Sequence, residues 1–556
     1  MSPPARVLAK QVLGGLPLAA EVSQWLKPDG AVPMHGYSLE RLAAHLPGWV
    51  AATAQARRTT DGGRPQRILI LGFLRWWVEC GCAIGLLLAA EGHKVDLAFL
   101  PHLRYTETIP LFDVRRQRIY FRRILSALDP LVRSVSLHGG DRQVLVPELE
   151  GDLERLSRID VQYVTMREQL DLGPGGEDRP LFQLRLERNR AAARATQHLL
   201  QRGTYDAVVV PNASILEFGA VYHAARRLGV RVVSYEFGEQ RQRVWLAQDT
   251  EVMRLDISPL WEVRGHDALT QEEEEAIRTL YGARRGARLW AHFGRQWQVG
   301  ESHGAQAART QLGIDPQRPM VLLCTNVVGD SMSLGREVYT DGMADWLMLT
   351  ARHFAERPDA QLVVRVHPGE SYGTGHPSVE IVRQAVPSLP GHVIVVPPES
   401  PVNTYDLIEL AHLGLVYTST SGIEMVMNGV PVIVSGATHY RGKGFAHEPT
   451  SQAEYLRTLD ELLSQPLGRR LDQATIKKAW RYAHRFFFEF PFPFPWHIEQ
   501  RGEDMQERPF ETIVSAESRV LYRPTIEALA GLPIDWRARA RQSREAVAAA
   551  LPGAGA

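Results

Sequence analysis

Arg67-Ile68-Leu69-Ile70-Leu71-Gly72 is a continuous apolar run that ends in glycine. Such a run does not alternate between core and solvent, so it suits a parallel strand buried on both faces. Outward from it, a helix-compatible stretch extends to Ala90, Gly92-His93 breaks it, and Lys94 to Leu100 reads as a second strand. The result is a βαβ unit of the expected length. The pattern returns at Tyr205-Asp206-Ala207-Val208-Val209-Val210-Pro211-Asn212, followed by a helix through Leu228, Gly229, and a strand from Arg231 to Tyr235. Between the two units, residues 115–200 are charged and helical in tone, with a loop at Gly173-Pro174-Gly175-Gly176.

A second series begins at Pro319-Met320-Val321-Leu322-Leu323-Cys324-Thr325-Asn326. It continues through a helix near 342–356 and strands at Gln361–Val366, His392–Val396, Leu413–Tyr417 and Val430–Val434, with helices around Tyr405–Ile408 and from Ser421. Strands alternating with helices give open parallel sheets. The predicted fold is α/β: two Rossmann-like domains facing one cleft, with helical N- and C-terminal extensions. The expected division is a helical extension over 1–60, a first Rossmann-like domain over 61–290, a second over 318–470, and a helical tail with an aromatic and proline segment over 471–556. The run Glu272-Glu273-Glu274-Glu275 between the halves reads as a solvated helix start.

The chain has 556 residues, with 63 Lys+Arg against 63 Asp+Glu, so its formal charge is zero. That balance argues against a general nucleic-acid binder, which needs an excess of basic groups. Three cysteines (Cys80, Cys82, Cys324) exclude a disulfide framework, and Cys80-x-Cys82 has no second ligand pair for a structural zinc. No stretch approaches the ~20 apolar residues needed to cross a bilayer, and no signal-type segment opens the chain, so the expected location is cytoplasmic. Phe486-Phe487-Phe488-Glu489-Phe490-Pro491-Phe492-Pro493-Phe494-Pro495-Trp496 leaves peripheral contact with the inner face of the membrane open. The competing reading is a segment packed across a domain cleft.

Three strand-end loops of the second series carry candidate chemistry. In Arg365-Val366-His367-Pro368 the proline disfavours helix at the preceding residue and holds His367 extended at a strand tip. Thr418-Ser419-Thr420-Ser421-Gly422 sets four hydroxyls between a strand and a helix, a natural phosphate site as well as ordinary capping chemistry. Glu424 lies one turn inside that helix, within reach of a ribose hydroxyl. Arg441 and Lys443 in the glycine-bearing loop Ser435–Phe445 offer positive charge to an anion. In the first series, Glu236 and Glu239 follow a strand and are candidates for a general base. Gly72-Phe73-Leu74-Arg75-Trp76-Trp77 is a candidate for acceptor contacts. There is no Asp-x-Asp, so no metal bridged to a diphosphate is suggested, and no cofactor is expected.

Taken in order, His367-Pro368, Pro401-Val402-Asn403-Thr404-Tyr405-Asp406-Leu407-Ile408, Thr420-Ser421-Gly422-Ile423-Glu424, Gly429-Val430-Pro431-Val432 and Tyr440-Arg441-Gly442-Lys443-Gly444-Phe445 resemble the bacterial capsule polysaccharide biosynthesis proteins. These are GT-B-type glycosyltransferases related to the enzymes that transfer Kdo. The resemblance covers about residues 318–500; residues 1–300 match only in general architecture. It implies a nucleotide-sugar donor, a CMP-sugar by preference, in the second domain and a glycan or glycolipid acceptor in the first. By the same similarity, His367 and Pro368 contact the nucleotide, and Ser419, Thr420 and Ser421 its phosphate.

Other readings share this architecture. A non-hydrolysing UDP-sugar 2-epimerase also has two Rossmann-like halves, and a CDP-polyol phosphotransferase uses a similar His-Pro and serine logic. A non-catalytic export or scaffold partner of the capsule machinery is the third alternative. An oxidoreductase is disfavoured because neither half has Gly-x-Gly-x-x-Gly after its first strand.

Overall fold

The structure, a computed structural model, describes residues 3–26, 38–58, 64–100, 105–137, 143–238, 240–287, 300–372, 377–498 and 500–541. The expected helix break at Pro28-Asp29-Gly30 and the candidate Glu239 lie outside the described residues. The first half contains β1 (Arg67–Gly72), β2 (Lys94–Phe99), β3 (Val132–Ser136), β4 (Ala207–Pro211), β5 (Arg231–Glu236) and β6 (Arg243–Gln248). The second contains β7 (Met320–Cys324), β8 (Gln361–Arg365), β9 (Val393–Val396), β10 (Leu413–Val416) and β11 (Val432–Val434). A last short strand, β12 (Phe492–Pro493), returns to the first half.

The first sheet has the order β12-β6-β5-β4-β1-β2-β3 and the second β11-β10-β7-β8-β9. The second sheet is parallel throughout, and the first is parallel from β5 to β3. In both sheets the strand order reverses beside the first strand of the half: between β1 and β4, and between β7 and β10. Loops at the carboxyl ends of those strand pairs diverge and leave a crevice, which is where open α/β sheets take ligands. Residues Ile68 to Gly72 of β1 are buried, as a strand covered on both faces requires. The fold is the predicted one: two Rossmann-like α/β units with helical additions.

Three strands were not expected. β3 lies inside the stretch read as helical, while β6 and β12 pair antiparallel at the edge of the first sheet. Pro493 fits there because an edge strand can tolerate a residue with no N–H to donate. The 471–556 tail therefore does not stand apart from the first domain. Phe492, Phe494, Trp496 and the helix Ala516–Leu529 are part of the first half's hydrophobic core. Conversely Leu255, Leu260, Ile277 and Leu280, which the expected division put in the first domain, pack into the core of the second half. The glutamate run does open a helix, Gln271–Arg285. Thr270 Oγ1 accepts the Glu273 N–H at 3.2 Å and Glu273 Oε2 accepts the Thr270 N–H at 3.1 Å. Glu273, however, is buried rather than solvated.

The chain passes back from the second half to the first through Arg485–Glu489, a wide π-helical turn whose side chains are all buried. The aromatic segment is therefore a packed crossing, with none of its large rings exposed to a membrane. Four buried groups meet around Glu489: Arg485 at 2.6 Å, His484 at 3.2 Å, Arg264 at 3.4 Å, and Glu273, which itself lies 3.4 Å from Arg485. Burial opposes the Glu489 charge, yet its cationic neighbours hold the carboxyl down at about 2. Beyond the turn, Arg539 donates to the carbonyls of Glu489 at 3.0 Å and Pro491 at 2.7 Å, so the C-terminal segment anchors the crossing.

A second link between the halves is Glu168, just beyond the helix Pro147–Thr165. Its carboxylate accepts the Ala344 N–H at 2.7 Å and caps the helix Met343–Ala355 of the other half. Gly342 makes the approach feasible, since a Cβ there would stand 2.5 Å from Glu168 Oε2. Burial pushes the Glu168 carboxyl up to about 7 against the pull of the N–H groups it accepts. Its ordinary value is 4.5, so between pH 4.5 and 7 the folded chain binds more protons at this site than the unfolded chain. The site's contribution to stability is full below pH 4.5 and declines as pH rises through 7. Glu168→Gln keeps one acceptor and removes the titration. Denaturant unfolding should show a variant about 1 kcal/mol more stable than the parent at pH 8, with the decline between pH 4.5 and 7 flattened. An unchanged pH slope would contradict this account.

Candidate functional site

A cleft of about 710 Å³ lies between the two halves, lined by residues from the carboxyl ends of β5, β7, β8 and β10. On the second half's side, β7 delivers Thr325 and Asn326, β8 delivers His367 and Pro368, and β10 delivers Thr418 to Ser421. These loops bind one another before any ligand. Thr325 Oγ1 accepts the His367 N–H at 3.0 Å, and Asn326 Oδ1 accepts the Thr418 N–H at 3.1 Å.

From 411 to 427 every residue is buried except Ser419, Thr420 and Ser421, and all three line the cleft. Ser419 Oγ and Ser421 Oγ are 2.8 Å apart, and Ser419 Oγ also accepts the Ser421 N–H at 3.3 Å. Thr420 occupies the cap position of the helix Ser421–Met427 but makes no side-chain capping bond. Its hydroxyl is thus not used as an N-cap, which is the ordinary structural explanation for such a residue. Thr418 is more internal, its Oγ1 donating to the Met332 carbonyl at 3.3 Å.

His367 is half-buried, and burial, reinforced by the Arg365 charge, pushes its imidazole down to about 4. It is neutral at ordinary pH. Its Nδ1 accepts the Gly369 N–H at 2.9 Å, which assigns the ring proton to Nε2. A neutral imidazole with a fixed tautomer presents a hydrogen-bond donor without a titrating charge.

The loop Ser435–Phe445 has a different role from the one expected. Arg441 and Lys443 do not line the cleft. Arg441 donates to the carbonyls of Val434 at 3.1 Å, Glu448 at 2.8 Å and Pro449 at 2.6 Å, and Lys443 reaches Ser258 Oγ at 2.7 Å. Both cations are spent on folding the loop against its surroundings. Tyr440 is the residue that acts on the site, donating from its hydroxyl to the Ser419 carbonyl at 2.7 Å. Gly422 is required beneath it, because a Cβ there would lie 2.3 Å from the Tyr440 oxygen.

Glu424 faces the cleft but is already engaged. Arg284 Nη1 donates to its Oε1 at 2.5 Å and Tyr405 Oη at 3.1 Å. Arg284, which the sequence reading did not single out, also lies 4.8 Å over the Phe487 ring. The ion pair thereby ties the helix after the hydroxyl loop to the crossing segment.

On the opposite wall, Glu236 ends β5 and lines the cleft. Asn212 Nδ2 donates to its Oε2 at 3.1 Å, and the Phe237 N–H to its Oε1 at 2.9 Å, so the carboxylate is oriented by the loop after β4, at the first sheet's reversal point, and by the backbone that follows β5. Tyr163 lies nearby. Burial pushes its phenol up to about 12, and the carboxylates of Asp330 and Glu236 add to the effect. The loop after β4 holds non-glycine residues in the left-handed region at Asn212 (φ 56°), Ala213 (φ 71°) and Leu216 (φ 54°). A buried ion group supports it: Asp160 accepts the Leu216 N–H at 2.5 Å, and Arg185 bridges Asp160 at 3.1 Å to Glu217 at 2.9 Å. Asp160 and Arg185 are distant in sequence from the loop they hold, and nothing in the local pattern signals them. Arg75 and Trp76, expected near an acceptor, stack on each other at 4.6 Å and do not line the cleft.

The three cysteines are buried and unbridged. Among the described residues, Glu273, His484 and Glu489 form the one group with metal-ligand geometry. Arg264 and Arg485 already contact its carboxylates, which supplies the cation the cluster needs.

The family model described as "Capsule polysaccharide biosynthesis protein" matches residues 282–476. No curated protein matches the chain. Among solved structures, the chain is similar to Thermosulfurimonas dismutans KpsC, described as a beta Kdo 2,4 transferase, at 19% identity and a TM-score of 0.34, covering 52% of this chain and 82% of that one. A second structure of KpsC from that organism, described as a beta Kdo 2,7 transferase, shows 14% identity and a TM-score of 0.31, covering 56% and 89%. A putative UDP-N-acetylglucosamine 2-epimerase from Listeria monocytogenes shows 12% identity and a TM-score of 0.25, covering 81% and 98%. The fold assignment rests on the strand orders above and not on these distant likenesses. Over residues 282–476, which span the second α/β half and its approach, the chain carries the sequence signature of the capsule polysaccharide biosynthesis proteins.

Proposed function

We propose that the chain is a glycosyltransferase of cell-surface polysaccharide synthesis, moving a sugar from a nucleotide-activated donor to a glycan or glycolipid acceptor. The observation that carries this reading is the cleft between two strand-order reversals, with three half-exposed hydroxyl residues on one wall and an oriented carboxylate on the other. The family match over the hydroxyl-bearing half supports the same class. A CMP-sugar is the favoured donor, and the Kdo named for the KpsC structures is the first sugar to test.

The chemistry follows from charge. In transfer, the bond from the anomeric carbon to the phosphate oxygen breaks, and the phosphate takes the electron pair. Donors aimed at that oxygen lower the barrier, because they stabilise charge where it develops. The Ser419, Thr420 and Ser421 hydroxyls and the Nε2–H of His367 are the donors this reading assigns, with Pro368 fixing the histidine's backbone. The acceptor hydroxyl must lose its proton as it bonds to the anomeric carbon. Glu236 is the base assigned to receive it if configuration inverts.

Replacing Ser419, Thr420 and Ser421 together by alanine should weaken CMP by about a thousandfold or more while leaving cytidine within a few-fold of the parent. Each hydrogen bond to a charged group is worth ~1.5–3 kcal/mol, so the loss falls on the phosphate. Titration calorimetry with both ligands reads the difference, and equal weakening of the two would remove the loop from phosphate binding.

Glu236→Gln preserves shape and removes the base. CMP release from CMP-Kdo in the presence of a capsular oligosaccharide should slow by ~10²–10⁴, with CMP affinity unchanged. Near-parental turnover in that variant would take Glu236 out of the mechanism.

A further inference from the structure

The N-terminal helices are built unlike the rest of the molecule. The helix Pro3–Gly15 and the helix Ala19–Leu26 form a hairpin laid on the helix Leu111–Leu125. Arg115 fixes it there, donating to the carbonyls of Gly14 at 2.9 Å and Leu16 at 2.7 Å and pairing with Glu21 at 2.9 Å. Lys10 pairs with Asp113 at 2.8 Å.

The face turned away from that contact is apolar. Leu8 and Val12 are one turn apart on the first helix and 66% and 61% exposed. Val22 and Leu26 lie one turn apart on the second, with Trp25 beside them and Leu18 just ahead of its first turn, and Leu18, Trp25 and Leu26 are 66%, 79% and 65% exposed. Side chains three and four apart share one helix face, so these residues form two adjacent stripes rather than scattered surface positions.

The supporting helix is basic. Leu111–Leu125 carries Arg115, Arg116, Arg118, Arg122 and Arg123 against the single acid Asp113, in a chain whose formal charge is zero. Burial, with a smaller push from the neighbouring Arg122 and Arg115, holds the Arg118 guanidinium below its ordinary value. No described helix is long and apolar enough to cross a membrane.

We propose that this hairpin and the helix beneath it dock on an anionic lipid surface, the apolar stripes entering the headgroup boundary and the arginines meeting lipid phosphates. Exposed apolar side chains on a short amphipathic hairpin, packed on a helix with exposed arginines, follow the pattern that binds an interface without spanning it. The partner's chemistry is read from that charge complementarity, independently of the catalytic reading above. It also relocates membrane contact from the aromatic crossing segment, which is buried, to the opposite end of the sequence.

The test is co-sedimentation of the full chain with vesicles of phosphatidylcholine alone or mixed with phosphatidylglycerol. The parent should bind the mixed vesicles, release with added salt, and leave phosphatidylcholine alone nearly unbound. Leu18→Ser/Trp25→Ser/Leu26→Ser should weaken binding about tenfold or more, and Arg122→Glu/Arg123→Glu by a similar factor. If the serine variant fails to fold by circular dichroism, the exposed Arg122→Glu/Arg123→Glu pair still decides the matter. Equal binding to both vesicle types, or an unaffected arginine variant, overturns the proposal. So does a concentration-dependent dimer that forms without vesicle binding and is abolished by the serine substitutions, since the face would then belong to a second copy.

Discussion

The arrangement of the cleft depends on a buried salt-bridge group where the chain crosses between its halves. Arg485 and Glu489 lie on one turn of the crossing, while Arg264 and Glu273 come from elements packed with the second half. Buried charges tolerate little displacement, because removing one partner leaves the other desolvated and unpaired at a cost of ~3–5 kcal/mol. A turn keyed by four such groups has essentially one seat. From it the chain continues directly into β12, which joins the first sheet, so the seat fixes where the two halves face each other.

That constraint reaches the hydroxyl loop through aromatic packing. His439 stacks on Phe486 of the crossing at 4.2 Å and bonds Tyr482 at 2.8 Å, while the adjacent Tyr440 holds the Ser419 carbonyl. Arg284 adds a second route, bridging Phe487 and Glu424. The hydroxyls are thus presented by a backbone that is braced from behind. Preorganisation of this kind lets small neutral donors do work that a mobile cation would do less specifically. It also explains how Arg441 and Lys443 can sit in a conspicuous loop and still contribute nothing to the cleft surface. Their charges are used by carbonyls and a hydroxyl within the fold.

The strands buried on both faces were legible because apolar runs such as Val208–Val210 and Leu362–Val364 have few other stable homes. The hydroxyl loop and His367 were legible for a related reason, since unusual residues at a strand's carboxyl end stand where parallel sheets bind ligands. β6 and β12 were not. Their short, edge-strand sequences pair with residues far away in the chain, and Phe492-Pro493 has no strand signal of its own. The same distance hid Arg284, Asp160 and Arg185, whose roles arise only when elements separated by tens to hundreds of residues come together. Exposure of the N-terminal apolar stripes was equally invisible, because an amphipathic pattern does not say whether its apolar side meets protein or solvent.

The central claim is that the second half's strand-order reversal holds the nucleotide by its phosphate. The most direct measurement is a crystal structure of the full chain with cytidine 5′-monophosphate. The account predicts phosphate oxygens within hydrogen-bond distance of the Ser419, Thr420 or Ser421 hydroxyls, with His367 Nε2 directed at the same ligand. A nucleotide seated instead against β4 and β5, with its phosphate near Glu236, would contradict it.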